Sequence, residues 1–285
     1  MHLNVTTTSG CRGRCVYCPQ DRYWDAMADR PRYLTAAELH RLVPNLEGTH
    51  FETMSFGGFS EPFDNPEIVE LLTLAHELDF VDEVVVYSNG EAMTPARMRE
   101  LGHVRFGTVD VSCHGFDPET YRRTRSFIDP AAVRENVLFL LENRANIANL
   151  TISVSGPFGS EESLDELAGL CAASGATLFR RDLHSRAGLL RIGNGNGGPK
   201  SGPFRCAKFD FEKPVLVPGG DLSLCCQDFA LRYVIGNLHT QPFGEIMAGS
   251  PLRAHVLDVA AGRGTDPGLA CYSCVFCVPV ESAAP

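Results

Sequence analysis

The chain has 285 residues, 44% of them hydrophobic and 21% charged, which is the composition of a folded globular protein. Its apolar runs are too short for a transmembrane helix and its first residues lack the pattern of a secretory signal, so we expect a cytoplasmic protein with no membrane partner. The formal net charge of −10 argues against a nucleic-acid partner. It is compatible with a cationic small substrate, although a solvated acidic surface explains it as well.

Strands and helices are predicted to alternate through the first 181 residues. The first strand is expected at 2–6, and a capping box at Thr35 and Glu38 opens the first helix. Further strands are expected over residues 53–56, 83–88, 108–112, 150–155 and 176–181. Further helices are expected from residue 65 and over residues 94–101, 129–143 and 164–173. This order predicts an α/β fold whose parallel sheet is open or curled into a partial barrel.

The alternation ends after residue 182. The glycine-rich segment 193–199 predicts a surface loop, and we place the domain boundary there, with one domain over 1–190 and a second over 191–285. Residues 214–217 and 221–225 flank a Pro-Gly-Gly turn and predict a hairpin. A helix interrupted by Gly249 and Pro251 is expected over 243–260.

Eleven cysteines, an odd number, favour metal or redox chemistry over a disulfide framework. Cys113 and Cys171 are interpreted as core residues. The run Cys11-Arg-Gly-Arg-Cys15-Val-Tyr-Cys18 supplies three thiolates that can bind three irons of a four-iron cluster and leave one iron open. The alternative is zinc, for which only His2 and His40 offer a nearby fourth ligand.

The C-x3-C-x2-C spacing, with Tyr17 before the last cysteine and a strand before the first, resembles the signature of the radical S-adenosylmethionine (SAM) superfamily. Three later segments, each at the end of a predicted strand, resemble further motifs of that family. A glycine-rich motif is found here as Gly57-Gly58-Phe59-Ser60-Glu61-Pro62, with serine in place of its usual third glycine. A Thr-Asn-Gly motif is found as Ser88-Asn89-Gly90, and a Ser-x-x-Gly motif is found as Ser112-Cys-His-Gly115.

The resemblance implies a partial (β/α)6 barrel that holds a 4Fe–4S cluster and S-adenosylmethionine. A one-electron donor such as flavodoxin or ferredoxin reduces the cluster, which splits the sulfonium into methionine and a 5′-deoxyadenosyl radical. The implied cluster ligands are Cys11, Cys15 and Cys18. The implied cofactor-binding residues are Tyr17, Gly57, Gly58, Phe59, Glu61, Ser88, Asn89, Ser112 and Ser153.

A second group of cysteines, Cys206, Cys225, Cys271 and Cys274, resembles the twitch extension, the short form of the SPASM domain, which holds one auxiliary 4Fe–4S cluster. Cys277 could replace Cys271 or Cys274. A zinc ribbon is the alternative, because two cysteines in C-x2-C plus two others also suit zinc.

The chain also resembles twitch enzymes that modify sugars in aminoglycoside antibiotic biosynthesis. The segment Ser185-Arg186-Ala187-Gly188 is similar to one of theirs, so Arg186 is a candidate substrate contact, with Asp182 and His184 nearby. Glu61, Asp182, His184 and Asp228 are candidate general bases or amine contacts.

The role of Cys226 affects which reaction is predicted. If Cys225 binds the auxiliary cluster, Cys226 stays unligated and can donate a hydrogen atom, which favours an epimerase acting on a small natural product, an aminoglycoside or a similar sugar. The alternatives are a dehydrogenase that uses the auxiliary cluster as electron acceptor, a peptide-modifying enzyme, or an iron–sulfur electron carrier without chemistry of its own. Simple packing of Cys226 is the other interpretation of this residue.

Overall fold

The computed structural model describes residues 1–191, 201–208 and 211–280. Six parallel strands form most of its central sheet, each paired with the next in the sequence. They are β1 (His2–Val5), β2 (Phe51–Phe56), β3 (Val81–Ser88), β4 (Phe106–Ser112), β5 (Ile147–Ser155) and β6 (Thr177–Arg181). The helices between them are α1 (Gln20–Ala26), α2 (Ala36–Leu42), α3 (Ile68–Glu77), α4 (Pro95–Glu100), α5 (Pro118–Thr124), α6 (Pro130–Glu142) and α7 (Glu161–Ser174). The predicted α/β class and the partial-barrel arrangement are confirmed.

Five of the seven helices between the parallel strands begin at a capping side chain, and α1 and α3 are the two that do not. The hydroxyl of Thr35 accepts a hydrogen bond from the Glu38 amide at 3.0 Å, as the capping box predicts. Asp117 caps α5, which the sequence analysis missed although Pro118 at its first position is a standard start signal. On α3, one face is buried against the sheet through Ile68, Leu71, Leu72 and Ala75.

The C-terminal region adds five short strands and two helices. They are β7 (Phe204–Cys206), β8 (Val215–Leu216), β9 (Asp221–Ser223), β10 (Val234–Asn237), β11 (Cys277–Pro279), α8 (Phe243–Gly249) and α9 (Pro251–Ala260). The predicted hairpin is β8–β9. The predicted long helix is two helices, because Ser250 ends α8 and its hydroxyl caps α9.

One feature of the C-terminal region differs from expectation. Strand β8 pairs in parallel with β1, so β8, β9 and β10 extend the central sheet to nine strands instead of forming a sheet of their own. Strands β7 and β11 form a separate antiparallel pair. The domain boundary at 190/191 stays a prediction, since the segment 193–199 lies outside the described residues.

The carboxyl ends of parallel strands meet at one edge of a sheet, where α/β proteins place their ligands. Register brings the ends of β1, β2 and β3 together there, with Val5 beside Phe56 and Phe56 beside Val86. Within the described ranges, no helix combines the length and hydrophobicity needed to cross a bilayer.

Candidate active site

A cavity of about 310 Å³ opens at the carboxyl edge of the sheet. It is bordered by loops that follow β1, β2, β3 and β4 and by the C-terminal region. The predicted site residues that line it are Cys11, Tyr17, Gly57, Gly58, Glu61, Ser88, Asn89, Ser112, Arg186 and Cys226. Residues far apart in the chain are thus brought to one space.

The three N-terminal cysteines lie on a loop directly after β1, which we call the tripod loop (residues 11–18). The Gly13 amide donates to the Cys11 sulfur at 3.3 Å, and the Cys18 amide donates to the Cys15 carbonyl at 3.0 Å. Arg14 between them adopts the left-handed region, with φ of 37°. Burial raises the pKa of the Cys18 thiol to about 12, so a free thiolate there needs a compensating positive charge.

A buried cation lies beside this loop. Arg125 is 1% exposed, and its Nη1 donates to the Ser112 carbonyl at 2.6 Å. The negative form of Cys15 is close enough to raise the pKa of Arg125, and within the described part of the chain Nε of Arg125 has no partner. A buried guanidinium favours thiolate over thiol, because it offsets the cost of a buried negative charge.

Tyr17 is held between two rings on the other side of the loop. Its hydroxyl lies 2.7 Å from Nε2 of His114, and its ring stacks on Phe158 with centroids 5.5 Å apart. Burial lowers the pKa of His114 to about 3, so the imidazole is neutral at physiological pH. The pair therefore positions Tyr17 without adding charge to the site.

The loop after β2 approaches the cavity through two glycines with positive φ, 153° at Gly57 and 71° at Gly58. A Cβ at Gly57 would lie 2.9 Å from the Tyr87 Cβ, and one at Gly58 would lie 2.5 Å from Oγ1 of Thr6. Neither position has room for a side chain, so the backbone itself is presented to the cavity. Ser60, where the related motif has glycine, accepts a hydrogen bond from the Thr8 amide at 3.4 Å.

Glu61 joins this loop to the one after β3. Its carboxylate accepts hydrogen bonds from the Ser88 hydroxyl at 2.7 Å, the Asn89 amide at 2.6 Å and the Phe63 amide at 3.0 Å. Burial raises the pKa of Glu61 to about 7, against the opposing effect of those donors. Glu61 thus fixes the relative position of two lining segments.

The C-terminal cysteines line a second space. Cys206, Cys225, Cys271, Cys274 and Cys277 all border it, together with mostly apolar side chains. Cys277 lies directly opposite Cys206 in the β7–β11 pair, which the sequence alone could not show. Five thiols therefore share one region, one more than a four-iron cluster needs from the protein.

Cys226 is separated from those five. It lines the large cavity, whereas Cys225 lines the cysteine-rich space, because neighbouring side chains leave the chain in different directions. Nζ of Lys208 and Nε2 of Gln227 lie 3.8 Å and 3.6 Å from the Cys226 sulfur. Cys226 also borders a narrow space shared with Cys206, Cys225 and Cys274, so it lies where the two sites meet.

Comparison with known protein families matches residues 5–171, more than half of the chain, to the Radical SAM superfamily. The chain belongs to the radical SAM superfamily. Residues 206–275 match the SPASM iron–sulfur cluster-binding domain. A comparison with curated proteins found no match.

Solved structures with the same fold include SuiB from Streptococcus suis bound to precursor peptide SuiA, which is 13% identical with a TM-score of 0.70 over 96% of this chain and 69% of SuiB. BtrN in complex with AdoMet and 2-DOIA is 18% identical, with a TM-score of 0.59 over 99% of this chain and 94% of BtrN. AnSMEcpe with bound AdoMet is 13% identical, with a TM-score of 0.58 over 90% of this chain and 79% of that chain. At such identities the likeness establishes the fold.

Membership of the radical SAM superfamily brings with it a 4Fe–4S cluster and S-adenosylmethionine, and the SPASM match brings an auxiliary iron–sulfur cluster. The residues present fit these groups: three cysteines share one loop beside the buried Arg125, and Gly57 and Gly58 leave no room for a Cβ. Across the described ranges, no group of three or more His, Cys, Asp or Glu is placed to hold a single metal ion.

Several predicted site residues of this radical SAM protein lie away from the cavity. Phe59 packs on Tyr23 and Phe229 in a separate apolar cluster, and Ser153 accepts a hydrogen bond from Nε of Arg181 at 3.0 Å. Asp182 is exposed, and His184 packs edge-on against Phe276. Their assignment to cofactor or substrate stays a prediction. Asp228 is 2% exposed and accepts from the Tyr233 amide at 2.7 Å, as a turn-stabilising residue does.

Sequence reasoning missed seven polar residues that line the radical SAM cavity, Asn4, Tyr87, Asp110, Ser155, Arg181, Lys208 and Lys213. Asp110 is 4% exposed on β4 and forms an ion pair with Arg181 at the end of β6. A carboxylate between two valines of a buried strand was a usable signal for a functional residue. The lysines lie in irregular segments that have no comparable pattern.

Proposed function

We propose that this radical SAM enzyme is an epimerase in which Cys226 donates a hydrogen atom to a carbon-centred substrate radical. One observation carries the proposal: Cys226 lines the same cavity as the tripod residue Cys11 and the Gly57–Gly58 loop, while the five cysteines of the second space do not line that cavity.

Residues of the chain take part in the first and the last step of this reaction. When bound, the cluster and S-adenosylmethionine supply the radical that removes a carbon-bound hydrogen. Cys226 lines the same cavity, and Nζ of Lys208 and Nε2 of Gln227 lie 3.8 Å and 3.6 Å from its sulfur. The protonated form of Cys226 is the hydrogen-atom donor in this proposal. Hydrogen transfer to a planar radical from the opposite face inverts the carbon, so a cysteine that lines this cavity supports epimerisation.

The second candidate is a dehydrogenase, and Lys213 favours it. This lysine is 7% exposed, lines the cavity, and has its pKa lowered by burial. After removal of the carbon-bound hydrogen, a carbinol radical becomes a ketone by losing one proton and one electron. A lysine of lowered pKa can accept the hydroxyl proton, and the auxiliary cluster implied by the SPASM match would accept the electron. The two candidate reactions therefore differ in which residue acts on the substrate radical. Cys226 donates a hydrogen atom to it in the epimerase, and Lys213 accepts a proton from it in the dehydrogenase.

For the substrate we propose a small, oxygen-rich natural product of the aminoglycoside or sugar type. The lining has four cationic side chains, Arg181, Arg186, Lys208 and Lys213, against the two carboxylates Asp110 and Glu61. Hydrogen-bond donors to hydroxyl oxygens thus outnumber acceptors for ammonium groups, which supports, within this class, a substrate with many hydroxyl groups and few amino groups. A peptide is the alternative substrate class, because the structural neighbour SuiB binds precursor peptide SuiA.

The eleven cysteines all lie in the described residues and none of them forms a disulfide, which fits the reducing cytoplasm that we propose as the compartment.

Turnover in deuterated water distinguishes the two reactions. The anaerobically reconstituted enzyme is incubated with dithionite, S-adenosylmethionine and a panel of aminoglycosides, aminocyclitols and peptides. Epimerisation predicts an isomer of the substrate carrying one deuterium, and Cys226→Ala should abolish that product while Cys171→Ala, a core substitution, preserves it. A product lighter by two hydrogens, or unchanged turnover in Cys226→Ala, would reject the epimerase.

A further inference from the structure

Cys206 and Cys277 lie directly opposite each other in the short antiparallel pair β7–β11. One position further along, the Ala207 amide donates to the Phe276 carbonyl at 2.8 Å. Because hydrogen-bonded and non-hydrogen-bonded pairs alternate along an antiparallel ladder, the two cysteines form a non-hydrogen-bonded pair. The Cys277 amide donates instead to the Cys274 carbonyl at 3.1 Å, as expected of a residue that makes no bond across the ladder.

This position brings the two thiols to the separation that a disulfide requires. Opposite residues of a sheet project to the same face, and in a non-hydrogen-bonded pair their Cα atoms are about 4.5 Å apart. Disulfides join residues whose Cα atoms are about 4.4–6.8 Å apart. Cys206 and Cys277 both border the cysteine-rich space, which agrees with side chains on one face. The backbone of β7 and β11 is therefore in place for a bond between the two sulfurs.

Contacts of the chain itself maintain the pairing of β7 with β11. The rings of Phe204 and Tyr272 pack edge to face with centroids 5.3 Å apart, and the Tyr272 hydroxyl donates to the Gly202 carbonyl at 3.1 Å. These contacts join the segment before Cys206 to the segment before Cys277 without using a sulfur atom. The register of the two cysteines should therefore persist when no cluster is bound.

The two cysteines differ in exposure, which assigns their roles in an oxidation. Cys206 is partly exposed, whereas Cys277 is 2% exposed. A dissolved oxidant therefore reaches Cys206 first, and the buried Cys277 has only to reach its neighbour across the ladder. A solvent-accessible cysteine beside a resolving cysteine is a common arrangement of redox-sensing thiols.

We infer that Cys206 and Cys277 are a redox-active pair that closes into a disulfide when the auxiliary cluster is lost. The Cys206 thiolate attacks oxidised glutathione, a small-molecule disulfide, and releases one glutathione. The Cys277 thiolate then attacks the Cys206 sulfur of the mixed disulfide and releases the second glutathione. Two protein thiols are oxidised, one glutathione disulfide is reduced, and the two thiol protons pass to the departing glutathione thiolates.

The disulfide and the auxiliary cluster exclude each other, because Cys206 is a predicted ligand of that cluster. A bound cluster occupies the Cys206 thiolate, and a disulfide removes it until a reductant opens the bond. The competing pair is Cys271, in the short 3₁₀ turn Ala270–Ser273, with Cys274, which ends that turn. Both pairs are open to the enzyme whether it is an epimerase or a dehydrogenase.

Peptide mapping of the full chain distinguishes these pairings. The reconstituted enzyme is incubated anaerobically with oxidised glutathione, with or without an iron chelator, and the remaining thiols are blocked with N-ethylmaleimide. Trypsin and chymotrypsin together place the four cysteines concerned on separate peptides, since these proteases cleave after Lys208, Tyr272 and Phe276. Mass spectrometry then measures each linked pair, and iron analysis measures the cluster that remains.

In the chelated wild type, the peptide linked through Cys206 and Cys277 should exceed the one linked through Cys271 and Cys274 at least about tenfold. Without chelator, its amount should not exceed the fraction of iron lost. In Cys277→Ser, Cys206 should retain one glutathione, because the resolving thiol is absent. Cys171→Ser, a substitution of a buried cysteine on α7, is the control and should give the wild-type pattern.

Three results would overturn the inference. They are unlinked Cys206 and Cys277 in the chelated sample, a bond between Cys271 and Cys274 as the main product, and equal linkage in the chelated and the cluster-loaded enzyme. Mapping of the wild type needs no substitution, so it decides the pairing even where Cys277→Ser fails to fold.

Discussion

Cys11 and Cys226 line one cavity, although one follows the first strand of the chain and the other follows the hairpin of its C-terminal region. The pairing of β8 with β1 produces this relationship, because it places the hairpin beside the strand from which the tripod loop emerges. Under the proposed function, the residues that would hold the cluster and the proposed hydrogen-atom donor are therefore parts of a single site.

The two glycines after β2 should be intolerant of any side chain. In Gly58→Ala, the new Cβ would meet Oγ1 of Thr6 at 2.5 Å and φ would be 71°, so we expect a loss of about 2 kcal/mol in the free energy of unfolding. The affinity of Gly58→Ala for S-adenosylmethionine should also be lower than that of the wild type. Gly169→Ala on α7 is the control, since no atom lies within 4 Å of its Cβ, and it should gain up to about 1 kcal/mol. Urea unfolding and equilibrium dialysis measure both, and a neutral Gly58→Ala would argue against the close approach.

Arg125 is expected to support the tripod loop from inside. Its removal in Arg125→Ala leaves the Ser112 carbonyl without its 2.6 Å donor and Cys15 without its neighbouring cation. We expect a loss of about 3 kcal/mol in unfolding free energy and poorer iron incorporation at the tripod. Arg123→Ala, an exposed position near the end of α5 and two residues before Arg125, should change stability by less than about 0.5 kcal/mol. Similar effects of the two variants would contradict a specific role for Arg125.

Serine substitution of the five C-terminal cysteines identifies the auxiliary ligands. We expect Cys206→Ser, Cys225→Ser, Cys271→Ser and Cys274→Ser each to lose about half of the iron of the reconstituted enzyme, because each removes a thiolate from one of two equal clusters. Cys277→Ser should retain the iron, since this cysteine is 2% exposed and packs in the main core. Iron analysis and electron paramagnetic resonance spectroscopy measure the cluster content of each variant. Loss of half the iron in Cys277→Ser would show that Cys277 is a ligand in place of one of the other four cysteines.

Glu61 should make the stability of the fold depend on pH. Burial raises its pKa to about 7 from an ordinary 4.5, so the folded state binds the proton more tightly than the unfolded state. Stability should therefore fall as pH rises from 4.5 to 7 and level off above, with a loss of about 2 kcal/mol between pH 5.5 and 7.5.

Glu61→Gln should remove that component, and it should also destabilise the protein, since an amide nitrogen cannot accept the hydrogen bonds from Ser88 and Asn89. Glu142→Gln, an exposed position at the end of α6, controls for the substitution. Urea unfolding at the two pH values gives the comparison. An unaltered pH dependence in Glu61→Gln would show that another group titrates.

The sequence was sufficient for the barrel strands and for most lining motifs, because strand periodicity, caps and the spacing of Cys11, Cys15 and Cys18 are local properties. Features that depend on long-range pairing were missed. The addition of β8 to β1 and the position of Cys277 opposite Cys206 arise from contacts between distant segments. The ion pair of Asp110 with Arg181 joins two strands that are not neighbours, so no local pattern marks it.

Formation of 5′-deoxyadenosine from S-adenosylmethionine is the most direct test of the tripod assignment. The measurement compares the anaerobically reconstituted wild type, Cys15→Ala and Cys226→Ala, with dithionite as reductant. We predict that the wild type and Cys226→Ala both release 5′-deoxyadenosine, since Cys226 acts after the cofactor is split, and that Cys15→Ala releases none. Release by Cys15→Ala at the wild-type rate would contradict the account.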